Sequence, residues 1–84
     1  MKLREEVIIA PNNDEAIMAD ASGKFKGMVK LNETAAFIAN LFYEDISEEE
    51  AVARLISEYE CSIDQAKEAV KFTIKKIKEA GLFE

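Results

Sequence analysis

Hydrophobic and polar positions along the 84 residues follow two rhythms, and the change falls near Leu31. Before Leu31, apolar residues alternate as in half-buried strands; after it they recur every three or four positions, as in helices. The first strand is expected from about Leu3 to Ala10, with Leu3, Val7 and Ile9 on one side. Pro11-Asn12-Asn13-Asp14 is a turn cluster that ends it. The second strand is expected over Glu15 to Asp20, with Ala16 and Met18 opposing Ile17 and Ala19. Ala21-Ser22-Gly23 breaks the chain again, and the third strand is expected over Lys24 to Leu31. There Phe25, Val29 and Leu31 share one parity, and Lys24, Lys26, Met28 and Lys30 share the other. Short connections make an antiparallel meander the default.

Three helices follow. Asn32 is positioned as N-cap of the first, which is expected to reach about Tyr43 with Thr34, Phe37, Ile38, Leu41 and Phe42 at helical spacing. Ser47 with Glu50 three residues later reads as a capping box. Glu48, Glu49 and Glu50 favour the positive end of that second helix, whose expected buried stripe is Val52, Leu55, Ile56 and Tyr59. Ser62 and Gln65 repeat the capping device for a third helix running to about Ala80. Its expected stripe is Ile63, Ala66, Val70, Ile74 and Ile77, and Gly81 is the expected left-handed residue after its end. Three strands then three helices (βββααα) give an α+β fold, one domain over residues 1–84 with a sheet in 1–31 and three helices in 32–84. The short link from Glu58 to Ser62 suits a helix-turn-helix corner, so the arrangement is a winged helix-turn-helix with a three-stranded antiparallel sheet and a three-helix bundle.

Composition narrows the chemistry. Seventeen acids against eleven bases give a net charge of −6, which argues against nucleic acid or an anionic membrane as the main partner. Histidine is absent, which closes the commonest zinc cages and His-based acid–base sites. A lone cysteine, Cys61, forms no internal disulfide and has no histidine to activate it, so an inert residue in a reducing cytoplasm is expected. No signal peptide or membrane span is visible. No nucleophile–base pair or metal set can be assembled, so neither a cofactor nor an independent enzyme is expected. The three consecutive glutamates at 48–50 fan out around a helix and fit its dipole better than a metal.

Several local strings carry a resemblance. Gly27-Met28-Val29-Lys30-Leu31-Asn32-Glu33-Thr34-Ala35-Ala36-Phe37-Ile38 resembles the strand-to-helix junction of PqqD-like proteins, where a Leu-Asn-x-Thr/Ser-Ala string opens the first helix. Ile46-Ser47-Glu48-Glu49-Glu50 is similar to that family's entry to the second helix, and Glu58-Tyr59 to its close. Val70, Ile77 and the Ala80-Gly81-Leu82 ending resemble the last helix, so the likeness runs from about Val7 to Leu82. It implies a recognition element for ribosomally made peptides that are later modified. Such an element holds the leader part of a precursor beside strand 3 and helix 3, and presents the core part to a modifying enzyme, often a radical S-adenosylmethionine enzyme. One departure stands out: the family usually has a large apolar residue where this chain has Thr73, beside Phe72. Either helix 3 is re-registered, or its peptide-facing side is individual to this protein.

Strand addition has a plain physical basis, because an edge strand offers unpaired N–H and C=O groups to an extended peptide. Each hydrogen bond contributes about 0.5–1.5 kcal/mol net, while ordering each peptide residue costs about 1–2 kcal/mol. Affinity therefore depends on apolar anchors, at about 1.5–3 kcal/mol each when fully buried. The candidate peptide-binding residues are Phe25, Lys26, Gly27, Met28, Val29 and Lys30 on the third strand, with Glu68, Lys71, Phe72 and Lys75 on the third helix. Phe72 points away from the expected core stripe; it reads as a peptide or self-association contact, or plainly as an isolated exposed apolar residue or one covered by Phe83. Lys24, Lys26 and Lys30 read equally as a positive rim for an acidic leader and as a guard against unwanted sheet pairing. Core packing is the favoured role of Met28. Lys67, Lys71, Lys75 and Lys78 read mainly as a solvated flank, although Lys71 and Lys75 are placed to meet a peptide carboxylate. Gly27 marks either a bulge or a close backbone approach. A winged-helix DNA binder and a structural protein-interaction domain are the alternatives, and an open edge strand also allows a homodimer.

Overall fold

The computed structural model describes residues 1–24 and 27–84. Strands β1 (Val7–Asn12), β2 (Glu15–Asp20) and β3 (Met28–Leu31) form an antiparallel meander in the order β1-β2-β3. Helices α1 (Glu33–Leu41), α2 (Glu48–Glu58) and α3 (Ile63–Glu79) follow, giving the expected βββααα order.

The first strand starts and ends later than its pattern predicts. It runs through Pro11, opposite Ala16, and Asn12, opposite Glu15. Only Asn13 and Asp14 make the turn, with Asn13 in the left-handed region at φ 61°. Proline is tolerated because β1 is an edge strand. Leu3 leaves the strand and instead bridges Phe83 near the other end of the chain. Leu3 N–H donates to the Phe42 carbonyl at 2.8 Å, and Arg4 N–H to the Leu82 carbonyl at 2.9 Å. The third strand is shorter than expected, and the expectations for Phe25 and Lys26 lie outside the described residues. A loop precedes them, tied by the Asp20 carboxylate, which accepts from Ser22 N–H at 2.9 Å and Ser22 Oγ at 2.8 Å.

Alternation decides which side chains fill the core. Ala16 and Met18 of β2 and Val29 and Leu31 of β3 face inward, onto Ile38, Ala39 and Phe42. Ala51, Val52 and Leu55 of α2, with Ala66, Val70, Ile74 and Ile77 of α3, complete the same cluster. Met28 is not in it: it is 68% exposed, because strand parity places it with Lys30 opposite Val29 and Leu31. That overturns the core role expected for Met28. Ile63, expected in the buried stripe of α3, is also exposed, since it opens the helix a turn before Ala66, the first α3 residue to reach the core. Ile56 and Tyr59 are half-buried, with Tyr59 packed edge-on against Phe37 at 5.4 Å between ring centroids.

Thr73 is among the most buried α3 residues, at 2% exposure. Its hydroxyl donates to the Ala69 carbonyl at 2.8 Å, so the polar atom is satisfied within the helix and the methyl joins the core. Ala66, Val70, Thr73, Ile74 and Ile77 keep three-and-four spacing, so α3 keeps its register.

The caps fix where each helix begins and ends. Asn32 Oδ1 accepts from Ala35 N–H at 2.8 Å at the start of α1. Ser47 Oγ accepts from Glu50 N–H at 3.1 Å, but the Glu50 carboxylate reaches Arg54 at 2.7 Å, so only half of that capping box forms. At α3 both halves are present: Gln65 N–H to Ser62 Oγ at 3.1 Å, and Ser62 N–H to Gln65 Oε1 at 3.0 Å. The end of α3 is a Schellman motif, with Gly81 at φ 74°, Gly81 N–H on the Lys78 carbonyl and Leu82 N–H on the Ile77 carbonyl.

Candidate functional site

The site begins with where the sheet stops. In the order β1-β2-β3, β2 occupies one side of β3, and among the described residues no strand occupies the other. The opposite border, β1, carries Pro11, which has no N–H to offer a neighbour. Backbone groups on an open border are available to an extended chain.

The C-terminal end of α3 runs beside β3, and Gly27 sets the distance. A Cβ on Gly27 would lie 2.6 Å from the Ala80 carbonyl oxygen and 2.8 Å from Ala80 Cβ. Of the two roles left open for this glycine, close backbone approach is the one the structure shows. Between β3 and α3 lies a hollow of about 420 Å³, lined by Gly27, Met28, Val29, Lys30, Lys76, Glu79 and Ala80. Val29 is buried and offers mainly its backbone there, while Met28 and Lys30 are exposed.

A second hollow, of about 540 Å³, lies along the outer face of α3 among Glu68, Ala69, Lys71, Phe72 and Lys75. Phe72 is 61% exposed. Phe83, the cover offered by one of the alternative readings, packs edge-on against Phe42 at 5.4 Å. Among the described residues, Lys76 stacks its ammonium on the Phe72 ring, with Nζ 4.9 Å from the centroid. Lys76 therefore joins the two hollows, lining the first and contacting the aromatic ring of the second.

The structure thus gathers Gly27, Met28, Val29 and Lys30 at one hollow and Glu68, Lys71, Phe72 and Lys75 at its neighbour. Lys71 also borders a third groove, between α2 and α3, with Glu48, Glu49, Ile56, Ile63 and Lys67. Sequence reasoning missed Lys76, Glu79 and Ala80. The spacing held the signal for Lys76, which stands four residues after Phe72 and hence on its face of the helix.

Other chemistry is sparse. Cys61 is a half-buried free thiol. Among the described residues, no group of three metal-ligating side chains converges and no helix is long and apolar enough to cross a membrane. Asp45 accepts from the Met1 ammonium at 2.9 Å, which holds its carboxyl below the ordinary 3.8. What the β3–α3 region offers is an extendable sheet border beside exposed apolar and cationic side chains, an arrangement suited to holding a peptide.

Two solved structures share this architecture. TbiB1 in complex with the TbiA(beta) leader peptide superposes with a TM-score of 0.77 at 20% identity, over 100% of this chain and 95% of that one. Lasso peptide synthetase B1 complexed with the leader peptide gives 0.71 at 26% identity, over 96% and 93%. No curated protein matches. The family model for coenzyme PQQ synthesis protein D matches residues 5–82, and the chain belongs to the PqqD family.

Proposed function

We propose that this protein is a non-catalytic recognition element for a ribosomal precursor peptide. The leader region adds as a strand to the open border of β3 and lies against α3, and the core region is left free for a modifying enzyme, a radical S-adenosylmethionine enzyme being the expected type. The observation that carries this reading is a β3 border to which, among the described residues, no strand is paired, with Met28 exposed on β3 and Phe72 exposed on the face of α3 that carries Lys76 to the same hollow. The two structural relatives, each solved with a leader peptide, and the family membership support it. Phe72 supplies an apolar anchor and the backbone of Met28–Leu31 supplies pairing. A duplex-binding role for α3 is opposed by the formal charge of −6.

The test is a titration with the leader of a precursor encoded beside this gene, following backbone amide shifts. Shifts should concentrate at Met28–Leu31 and between Ala69 and Ala80. Phe72→Ala should weaken binding about tenfold or more while leaving the fold intact. Absence of shifts at millimolar peptide would refute the assignment.

A further inference from the structure

Charge is distributed unevenly on this acidic molecule. The residues lining the two hollows beside β3 and α3 include Lys30, Lys71, Lys75 and Lys76 against Glu68 and Glu79. That is four bases to two acids, on a chain whose formal net charge is −6. The ion pairs among the described residues are Met1 ammonium with Asp45, and Arg54 with Glu44 and with Glu50. Among the described residues, none of these pairs uses a lysine of the groove. Lys76 is held against the Phe72 ring rather than against its own carboxylates, which leaves its ammonium beside the exposed aromatic face.

Strand geometry then says where carboxylates would fall. An added strand alternates its side chains between the two faces of the sheet. On β3, Val29 and Leu31 take the inner face, and Gly27, at the same parity, is the residue that meets Ala80 of α3. One set of visiting side chains therefore lies on the side of Lys76, whose ammonium is 4.9 Å from the Phe72 ring centroid one turn along α3, and the other lies alongside Met28 and Lys30. Each face offers one exposed apolar surface and at least one lysine.

We propose that, within the leader-binding reading above on which this rests, the β3–α3 groove selects a net-acidic extended peptide. It carries a large apolar side chain against Phe72 and flanking carboxylates within reach of Lys76 and Lys30. The lysines raise the encounter rate and the specificity, while the apolar anchor carries most of the affinity.

The experiment selects binders to the full chain from a displayed library of random twelve-residue peptides and maps each binder by amide shifts. The expected result is enrichment of Asp and Glu around an aromatic or large aliphatic residue in the peptides that shift Met28–Leu31. Their affinity should fall with added salt, and Lys30→Gln and Lys76→Gln should each weaken them by about two- to five-fold. Both lysines lie outside the core, so circular dichroism should show unchanged folding in these variants. Binders that shift Met28–Leu31 with no acidic enrichment and no response to either lysine variant would overturn the charge selection and leave leader binding standing. A library yielding no binder at β3 would overturn both.

Discussion

Gly27→Ala probes the close approach between the chain entering β3 and the end of α3. The added methyl would sit 2.6 Å from the Ala80 carbonyl oxygen, against the 3.4–4 Å of ordinary contact, with Ala80 Cβ and Cα at 2.8 and 2.9 Å. Two of those three atoms are backbone, so no side-chain rotation removes the clash. The end of α3 is also braced: Gly81 and Leu82 N–H groups close the Schellman motif, Arg4 Nε donates to the Gly81 carbonyl at 3.0 Å, and Arg4 N–H to Leu82. Either β3 or the end of α3 must therefore retreat by most of an ångström. Overpacking of this kind costs about 1–3 kcal/mol. With a urea slope of about 1 kcal/mol per molar for a small domain, the midpoint should fall by about 1–3 M. Gly23→Ala is the control. Its Cβ would meet nothing within 4 Å, but its φ of 77° is strained for alanine, so a loss of only about 1–2 kcal/mol is expected. Amide shifts in Gly27→Ala should concentrate at Met28, Ala80 and Gly81. An unchanged midpoint with unmoved Ala80 and Gly81 amides would refute the close approach.

Three other outcomes follow from the same geometry. Ser62→Ala should destabilise the fold by about 1 kcal/mol in chemical denaturation, and Ser47→Ala by less, because the α2 cap forms only half of its box. Thr73→Val should leave stability within about 1 kcal/mol of the parent, since the hydroxyl is bonded only to its own helix, whereas Thr73→Leu should lose about 1–3 kcal/mol through overpacking. Asp45 has a lowered folded-state pKa, so its contact with the Met1 ammonium contributes above the ordinary value of 3.8 and is lost as pH falls through the lowered one. A carboxyl-carbon titration should place Asp45 below 3.8, and acetylating the Met1 amine should bring it back toward that value.

The helical half was legible because caps and stripes are local. Asn32, Ser47, Ser62 and Gly81 mark helix boundaries through contacts within one turn, and the core residues of α3 recur at fixed spacing. The misreadings there are small, Ile63 at the start of α3 and the half-formed box at Ser47; the larger ones fall where position in the sheet outranks composition. Pro11 reads as a breaker until β1 is known to be a border strand. Met28 reads as apolar filling, though parity with Lys30 turns it outward. Leu3 finds its partner at Phe83, a separation no periodicity reveals. The same limit holds at the groove: Phe72 was visible as an apolar residue off the stripe, but Ala80 gains its role only when Gly27 is brought against it by the fold.

The Leu3–Phe83 bridge, reinforced by Glu84 N–H on the Lys2 carbonyl at 2.9 Å, sets Lys2 and Leu3 shoulder to shoulder with Phe83 and Glu84. A covalent splice of a few residues would therefore close the chain into a ring. New termini cut between Asn13 and Asp14, at the tip of the hairpin, should yield a circular permutant that keeps the same topology. Equally, any segment leading into Lys2 and any leaving after Glu84 would pass one shared corner of the molecule.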